Sequence, residues 1–274
     1  ATPPGETLRL MLRRLATRRD CKLMYADVSR AYFYAPAVRP VYVKLPSEDV
    51  DANDDGMVGK LNMSMYGTRD AAANWAAEYG KTLTDAGYIQ GRSSPCIFYN
   101  SSSDTAVMVH GDDFVGVGKP EELSKLRKVL EDKYKLKVET LSGDKTDVQE
   151  VKILNNIVRW TSQGLELEAD PRHAELVVRE LGLERASISK VAGVKPTAES
   201  IEANDMELGR EDARKYRAVA ARLNYLAPDR VDIGFSVKEA ARSMAKPMVG
   251  DWDKLKRIGR YLLGRPRLIS KLRN

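Results

Sequence analysis

Histidine and cysteine are nearly absent from this sequence, with two of each in 274 residues. Cys21 and Cys96 lie far apart and outside any partner motif. A disulfide framework is therefore not expected, and the plain reading is two small buried hydrophobes in a reducing interior. His110 and His173 have no Cys or His neighbour at ligand spacing, which argues against a zinc site. Scarce histidine also weighs weakly against hydrolases that pass protons through an imidazole. No apolar run approaches the ~18–20 residues that span a membrane. The opening stretch ATPPGETLRLMLRRLATRRD interrupts its apolar positions with arginines at helical spacing, unlike a signal peptide. There is no internal repeat and no low-complexity tract. The alanine start and abrupt basic end are what a fragment of a longer protein would show.

What remains is ordinary for a soluble globular protein: 43% hydrophobic and 31% charged residues, enough for one large domain or two modest ones. The net charge of +6 is mild but unevenly spread. Arg9, Arg13, Arg14, Arg18, Arg19 and Lys22 crowd the start. Lys254, Lys256, Arg257, Arg260, Arg265, Arg267, Lys271 and Arg273 crowd the end. Such runs are either solvated helix faces or a surface that follows a phosphate backbone, and charge alone does not decide between them.

The apolar spacing predicts a helix from Glu6 to about Ala16, with Leu8, Leu12 and Leu15 on one face. CKLMYADV reads as a short buried strand with Asp27 near its end, and RPVYVKLP as a second strand bounded by prolines. DVDANDDGMVG resembles half a calcium loop, but no glutamate closes it, so that reading fails. A helix is expected from Thr68 to about Ala86, stopped by Gly87. CIFYN and TAVMVH read as strands across the turn SSSD, and FVGVG closes a further hairpin. Pro120 then opens a helix with Leu123, Leu126 and Leu130 in an apolar stripe. GVGK does not make a phosphate loop, because Asp113 stands where glycine is required and Pro120 where Ser or Thr should follow the lysine. VKILNNIVRW and GLELEAD suggest another hairpin. Beyond it come helices from Pro171, capped by Asp170 and stopped at Gly182, and over about Asp212–Ala227, Asp232–Ala245 and Asp251–Leu263, with SKVAGVKPTAESIEANDMELG as a linker. The expected fold class is α+β: an antiparallel sheet backed by helices, then a helical region.

One stretch raises a chemical question. VMVHGDDFVGVG places two adjacent aspartates, Asp112 and Asp113, between apolar runs. Repulsion and partial burial both raise the cost of such a pair. A solvated Gly-Asp turn would explain it. So would a divalent cation, if Asp27 at the end of its strand meets the same hairpin. Magnesium takes oxygen ligands and keeps several waters, so two or three carboxylates plus substrate phosphates suit it. Two such ions ~4 Å apart can activate a 3′-hydroxyl and stabilise a leaving pyrophosphate, in a transfer where the protein mostly positions and neutralises.

Motifs beyond the pair tip the balance. DVSRAYFYAP at 27–36, MYGTRDAAANW at 65–75, the HGDD hairpin, and the stretch from YRAVAARLNYLAPDRVDIGF to KRIGRYLLG occur in series and in order. Together the chain resembles the reverse transcriptases of copia-type retrotransposons over nearly its whole length. The resemblance implies a polymerase palm with partial fingers over residues 1–168 and a helical thumb-like or connection region over 169–274. It implies Asp27 and Asp112 as principal metal ligands with Asp113 as the supporting carboxylate, and two Mg2+ ions, replaceable by Mn2+. Tyr32 would be the aromatic under the incoming sugar that excludes a 2′-hydroxyl. Gly67, Thr68 and Arg69 would open the helix laid against the nascent base pair and template. Phe33 is expected to point into packing if its stretch is extended, and Trp75 into the core.

The implied reaction is RNA-directed DNA polymerisation on a template-primer duplex with deoxynucleoside triphosphates, within a longer polyprotein that carries ribonuclease H and integrase domains. The family suggests the cytoplasm, in particles, and the nucleus. Three departures stand out. His110-Gly111 replaces an aromatic-aliphatic pair, Asp70 stands where glutamine is common, and no basic fingers strand precedes residue 27. Asp70 adds an acid near the implied nucleotide pocket, and the other two favour the alternative of a truncated, inactive relic that only binds nucleic acid. Another palm-type nucleotidyl transferase, such as a cyclase, is opposed by the Tyr32 motif and the helical tail.

Overall fold

The computed structural model describes residues 2–46, 48–49, 57–194 and 206–272. Most of the acidic loop with the rejected calcium pattern, and much of the expected linker, lie outside them. The chain divides into two compact units, the first holding residues up to 151 with 160–165 and the C-terminal residues from Leu272, the second holding 152–159 and 166–271.

The first unit is organised by an antiparallel sheet. Its strands are β1 (Lys22–Val28), β4 (Ile89–Gln90), β5 (Ile97–Asn100), β6 (Thr105–His110), β7 (Asp113–Gly118) and β8 (Leu136–Leu141), in the order β4-β5-β6-β7-β1-β8. A separate two-stranded ribbon pairs β2 (Tyr42–Lys44) with β3 (Val58–Lys60). Alternation along the strands sends Met24, Ala26, Val28, Val107, Val109 and Phe114 to one face. There they meet helices α2 (Ala71–Asp85) and α3 (Pro120–Glu131) through Trp75, Tyr79, Leu83, Leu123, Leu126 and Leu130. Gly116 allows this approach, since a Cβ there would lie 3.2 and 3.3 Å from the Leu123 and Leu126 methyls. Helix α1 (Gly5–Ala16) buries Leu8, Met11, Leu12 and Leu15 and packs on β6 and β7 from the other side. Tyr25 and Asp27 point to that second face.

The helix from Pro120 ends at Glu131, and β8 begins at Leu136. After Val28 the strand is broken by Arg30, whose φ is +59°, and residues Ala31–Tyr34 form one turn of 3-10 helix.

In the second unit, helices α4 (Arg172–Glu180), α5 (Arg210–Leu226), α6 (Gly234–Arg242) and α7 (Asp251–Gly264) enclose Val177, Tyr216, Leu223, Ile233, Leu255, Ile258 and Leu262. Asp170 accepts the Arg172 backbone N–H at 3.0 Å, as a capping aspartate should. The expected single hairpin is instead a four-stranded sheet, β12-β11-β10-β9, from β9 (Glu150–Ile153), β10 (Asn156–Thr161), β11 (Gly164–Ala169) and β12 (Ile269–Leu272). VKILNNIVRW folds on itself because Leu154 and Asn155 both take positive φ, +48° and +65°, and make a two-residue turn. The guanidinium of Arg230, 1% exposed, is held by both carboxylate oxygens of Asp232 at 3.0 and 2.8 Å and by the carbonyls of Arg265 and Pro266 at 2.9 and 3.0 Å.

Candidate active site

The sheet register brings Asp27 directly opposite Asp113, and the next backbone group along, the Val28 N–H, donates to the Asp112 carbonyl at 2.9 Å. Partners in an antiparallel pair share a face, so the Asp27 and Asp113 carboxylates stand side by side. The row extends in both directions. His110 faces Asp113 across the hairpin, and Lys137 of β8 faces Asp27 on its other side. Two residues before Asp27, on the same face, the Tyr25 hydroxyl donates to Asp113 Oδ1 at 2.5 Å. Burial raises the Asp113 carboxyl above its ordinary range; the Tyr25 bond opposes this, and the charges of Asp112 and Asp27 add to it. Burial and the same three carboxylates push the Tyr25 phenol up. Three negative groups therefore act on one small volume, and none of them makes an ion pair among the described residues.

The hairpin turn itself is two residues long, with Gly111 and Asp112 between His110 and Asp113. Gly111 has φ +63°, and a Cβ there would meet nothing within 4 Å. Glycine at the first central position suits a tight turn with positive φ, so the conformation rather than crowding favours glycine here. From beneath, the indole Nε1–H of Trp75 donates to the Gly111 carbonyl at 2.7 Å. Trp75 is the expected core residue and also the anchor of the acid-bearing tip.

The aromatic segment departs from expectation. Because Ala31–Tyr34 is a 3-10 turn and not extended chain, successive side chains are about a third of a turn apart. Phe33 is consequently not packed inside: it is 43% exposed. Tyr32 stacks on Tyr66 with ring centroids 4.3 Å apart and planes 25° from parallel, and Phe33 meets the same Tyr66 ring edge-on at 5.9 Å. The segments are held together by Ser64 N–H to the Ala35 carbonyl at 2.7 Å and Ala37 N–H to the Asn62 carbonyl at 3.0 Å. Gly67, with φ +88°, and Arg69 are exposed in the turn that leads into α2. Asp70, the acid near this turn, is paired with Arg39 at 3.2 Å.

A protein-family model described as reverse transcriptase (RNA-dependent DNA polymerase) matches residues 5–146, more than half of the chain and all three aspartates. The chain belongs to the reverse transcriptase family. It is 25% identical over 258 residues to the "Retrovirus-related Pol polyprotein from transposon TNT 1-94" of Nicotiana tabacum, covering 91% of this chain and 19% of that protein. Similar matches, at 25% and 24% identity and 92% of this chain, are the Pol polyproteins of transposons RE2 and RE1 of Arabidopsis thaliana, each covered over 17% of its length. The chain thus spans less than a fifth of these relatives.

For a reverse transcriptase chain, the fit of a divalent ion is instructive. Among the described residues no group of three or more His, Cys, Asp and Glu side chains is placed to hold a metal ion. A hard cation that takes one or two carboxylates and fills its shell with water and phosphate oxygens needs no such group.

The basic ends are partly spent within the protein. Arg14 and Arg18 both bind Asp104 in the β5–β6 turn, and Lys22 reaches Asp144 and Asp147 at 2.5 and 2.6 Å. Arg267 and Arg159 clamp Glu168, and Lys254 pairs with Asp251 at 2.7 Å. Lys256, Arg257 and Arg260 on α7 carry no ion pair among the described residues. The sequence reading missed Tyr25, Tyr66 and Lys137. Period-2 alternation in the expected strand would have put Tyr25 beside Asp27; the other two depend on long-range pairing.

Proposed function

We propose that this chain is the polymerising core of a retrotransposon reverse transcriptase, adding deoxynucleotides to a primer 3′-hydroxyl on an RNA template. The observation that carries the reading is the register of Asp27 against Asp113 beside the Asp112 turn, within the segment that matches the family. Residues 1–168 act as the palm with part of the fingers, and residues 169–274 as a thumb-like region whose free cations on α7 take duplex phosphates.

Asp27 and Asp112 would hold the divalent ions, with Asp113 in support. Bound there, Mg2+ or Mn2+ supplies the charge that makes a 3′-hydroxyl a nucleophile and neutralises pyrophosphate as it departs. The Tyr25 hydroxyl fixes the Asp113 carboxylate, and the Trp75 indole fixes the backbone next to Asp112. Tyr32 lies under the incoming sugar and excludes a 2′-hydroxyl, while Gly67 and Arg69 border the nucleotide. Ribonuclease H and integrase domains accompany this core in the longer polyprotein.

Primer extension on an RNA template with Mg2+, using a longer piece of the polyprotein, tests the reading. The parent extends, and Asp112→Asn falls by about a hundredfold or more, the factor expected when a metal ligand is removed. Equal extension by the variant overturns the assignment. The second reading, a relic that only binds nucleic acid, is favoured by His110 and Gly111 at the tip. It predicts salt-sensitive duplex binding without extension under any metal. The internal pairing of Arg14, Arg18, Lys22 and Arg267 leaves fewer cations for that role.

A further inference from the structure

Tyr66 lies outside every role assigned above, yet it is the residue through which the aromatic segment is organised. Its ring face covers Tyr32 at 4.3 Å, its edge meets Phe33 at 5.9 Å, and it is 44% exposed. Partial burial raises its phenol above the ordinary range and the Asp112 charge adds to the rise, while hydrogen bonds with the backbone of Tyr32 and Ala31 oppose it. Tyr66 therefore holds on to the aromatic segment through its ring and through its hydroxyl.

A gate that rejects one hydroxyl group must be held to within a fraction of an ångström, because discrimination here is steric. Tyr32 sits on a single 3-10 turn behind a residue with positive φ, a short support. A half-buried aromatic on such a support, packed against the core but without the Tyr66 ring, would sample further rotamers. The nearly parallel Tyr66 ring supplies a wall, and Phe33 keeps that wall from swinging outward.

We propose that Tyr66 is a positioning residue for sugar selection: its ring holds Tyr32 in the orientation that excludes ribonucleotides. The inference rests on the assignment of Tyr32 made above and deepens it.

The test measures binding of dTTP and of UTP to the same longer piece of the polyprotein on a template-primer ended with a dideoxynucleotide, so that no turnover is needed. The parent prefers dTTP. Tyr66→Leu, which removes the ring, lowers the dTTP:UTP affinity ratio about 3- to 10-fold, the factor one aromatic contact is worth, chiefly by tightening UTP. Tyr66→Phe, which restores the ring, restores the ratio. An unchanged ratio in Tyr66→Leu overturns the proposal, and so does equal weakening of both nucleotides, which marks a merely structural role. A Tyr66→Phe variant as defective as Tyr66→Leu overturns it as well, since the hydroxyl would then be the active part. Tyr32→Ala separates the two levels: if it keeps full selectivity, the gate assignment itself is wrong. A parent that binds neither nucleotide sinks the polymerase reading and this inference with it.

Discussion

Replacing Trp75 with phenylalanine removes the support beneath the acid-bearing hairpin while leaving an aromatic ring in the core. The indole is 1% exposed, and its rings meet Tyr79, Phe114 and Tyr134 at centroid distances of 5.5, 6.3 and 5.1 Å. Its Nε1–H donates to the Gly111 carbonyl at 2.7 Å. Because Gly111 is exposed, water can reach the abandoned carbonyl, and the lost bond is worth about 1 kcal/mol. Deleting a whole buried Trp costs ~3–5 kcal/mol, so the smaller void left by phenylalanine costs about 1–2 kcal/mol. The two effects together destabilise the first unit by about 2–3 kcal/mol. At a slope of about 2 kcal/mol per molar urea, the midpoint of that unit falls by about 1 M or slightly more. Circular dichroism through a urea titration gives the midpoint. Hydrogen exchange on peptides covering 106–118 shows where the loss falls: tip amides speed up, and those of α7, in the other unit, do not. An unchanged midpoint with unchanged exchange at the tip would refute the anchoring role.

Two other perturbations have signs that follow from the structure. Leu154 occupies a positive-φ turn position with φ +48°, where a branched apolar residue is strained by roughly 1 kcal/mol, so Leu154→Asn should raise the melting temperature by ~2–4 °C in a calorimetric scan. A lower melting temperature would mean that the leucine side chain packs better than its backbone suggests. Asp104, held by Tyr99 first and then by Arg14, has its carboxyl lowered to about 2. A depressed folded-state value means that its stabilisation is complete above the unfolded carboxyl value near ~4 and disappears as pH falls from there through about 2. Urea midpoints of the parent and Asp104→Asn should differ at pH 7 and converge at pH 2, and a constant gap would contradict the pairing.

Local elements were readable where pattern and punctuation agree. The stripe of Leu8, Leu12 and Leu15, the Pro120 start and the Gly87 stop all lie within a few residues of the observed helices. So was the placing of Asp27 near a strand end. What could not be read depends on partners distant along the chain. Nothing in the residues of β8 says that Lys137 will lie opposite Asp27, because strand order is set by the packing of whole layers. Phe33 was misplaced because the stretch after Val28 is not extended: Arg30 adopts a left-handed conformation and Ala31–Tyr34 coil into a 3-10 turn. β12 was missed because ISKL is too short, after RPRL, to carry an alternation signal. Trp75 shows a different limit: burial was foreseeable, but the direction of its N–H was not.

The sheet that carries the acids also has two borders, and neither invites a foreign strand. At one, β4 runs for only two residues, Ile89–Gln90. At the other, β8 leaves Lys137 and Glu139 exposed among partly buried residues. A short rim and a charged rim both discourage edge-to-edge aggregation. Copies of this protein crowded together can therefore stay separate, and the strands that bring Asp27 opposite Asp113 keep their own register instead of being drawn into a neighbour's sheet.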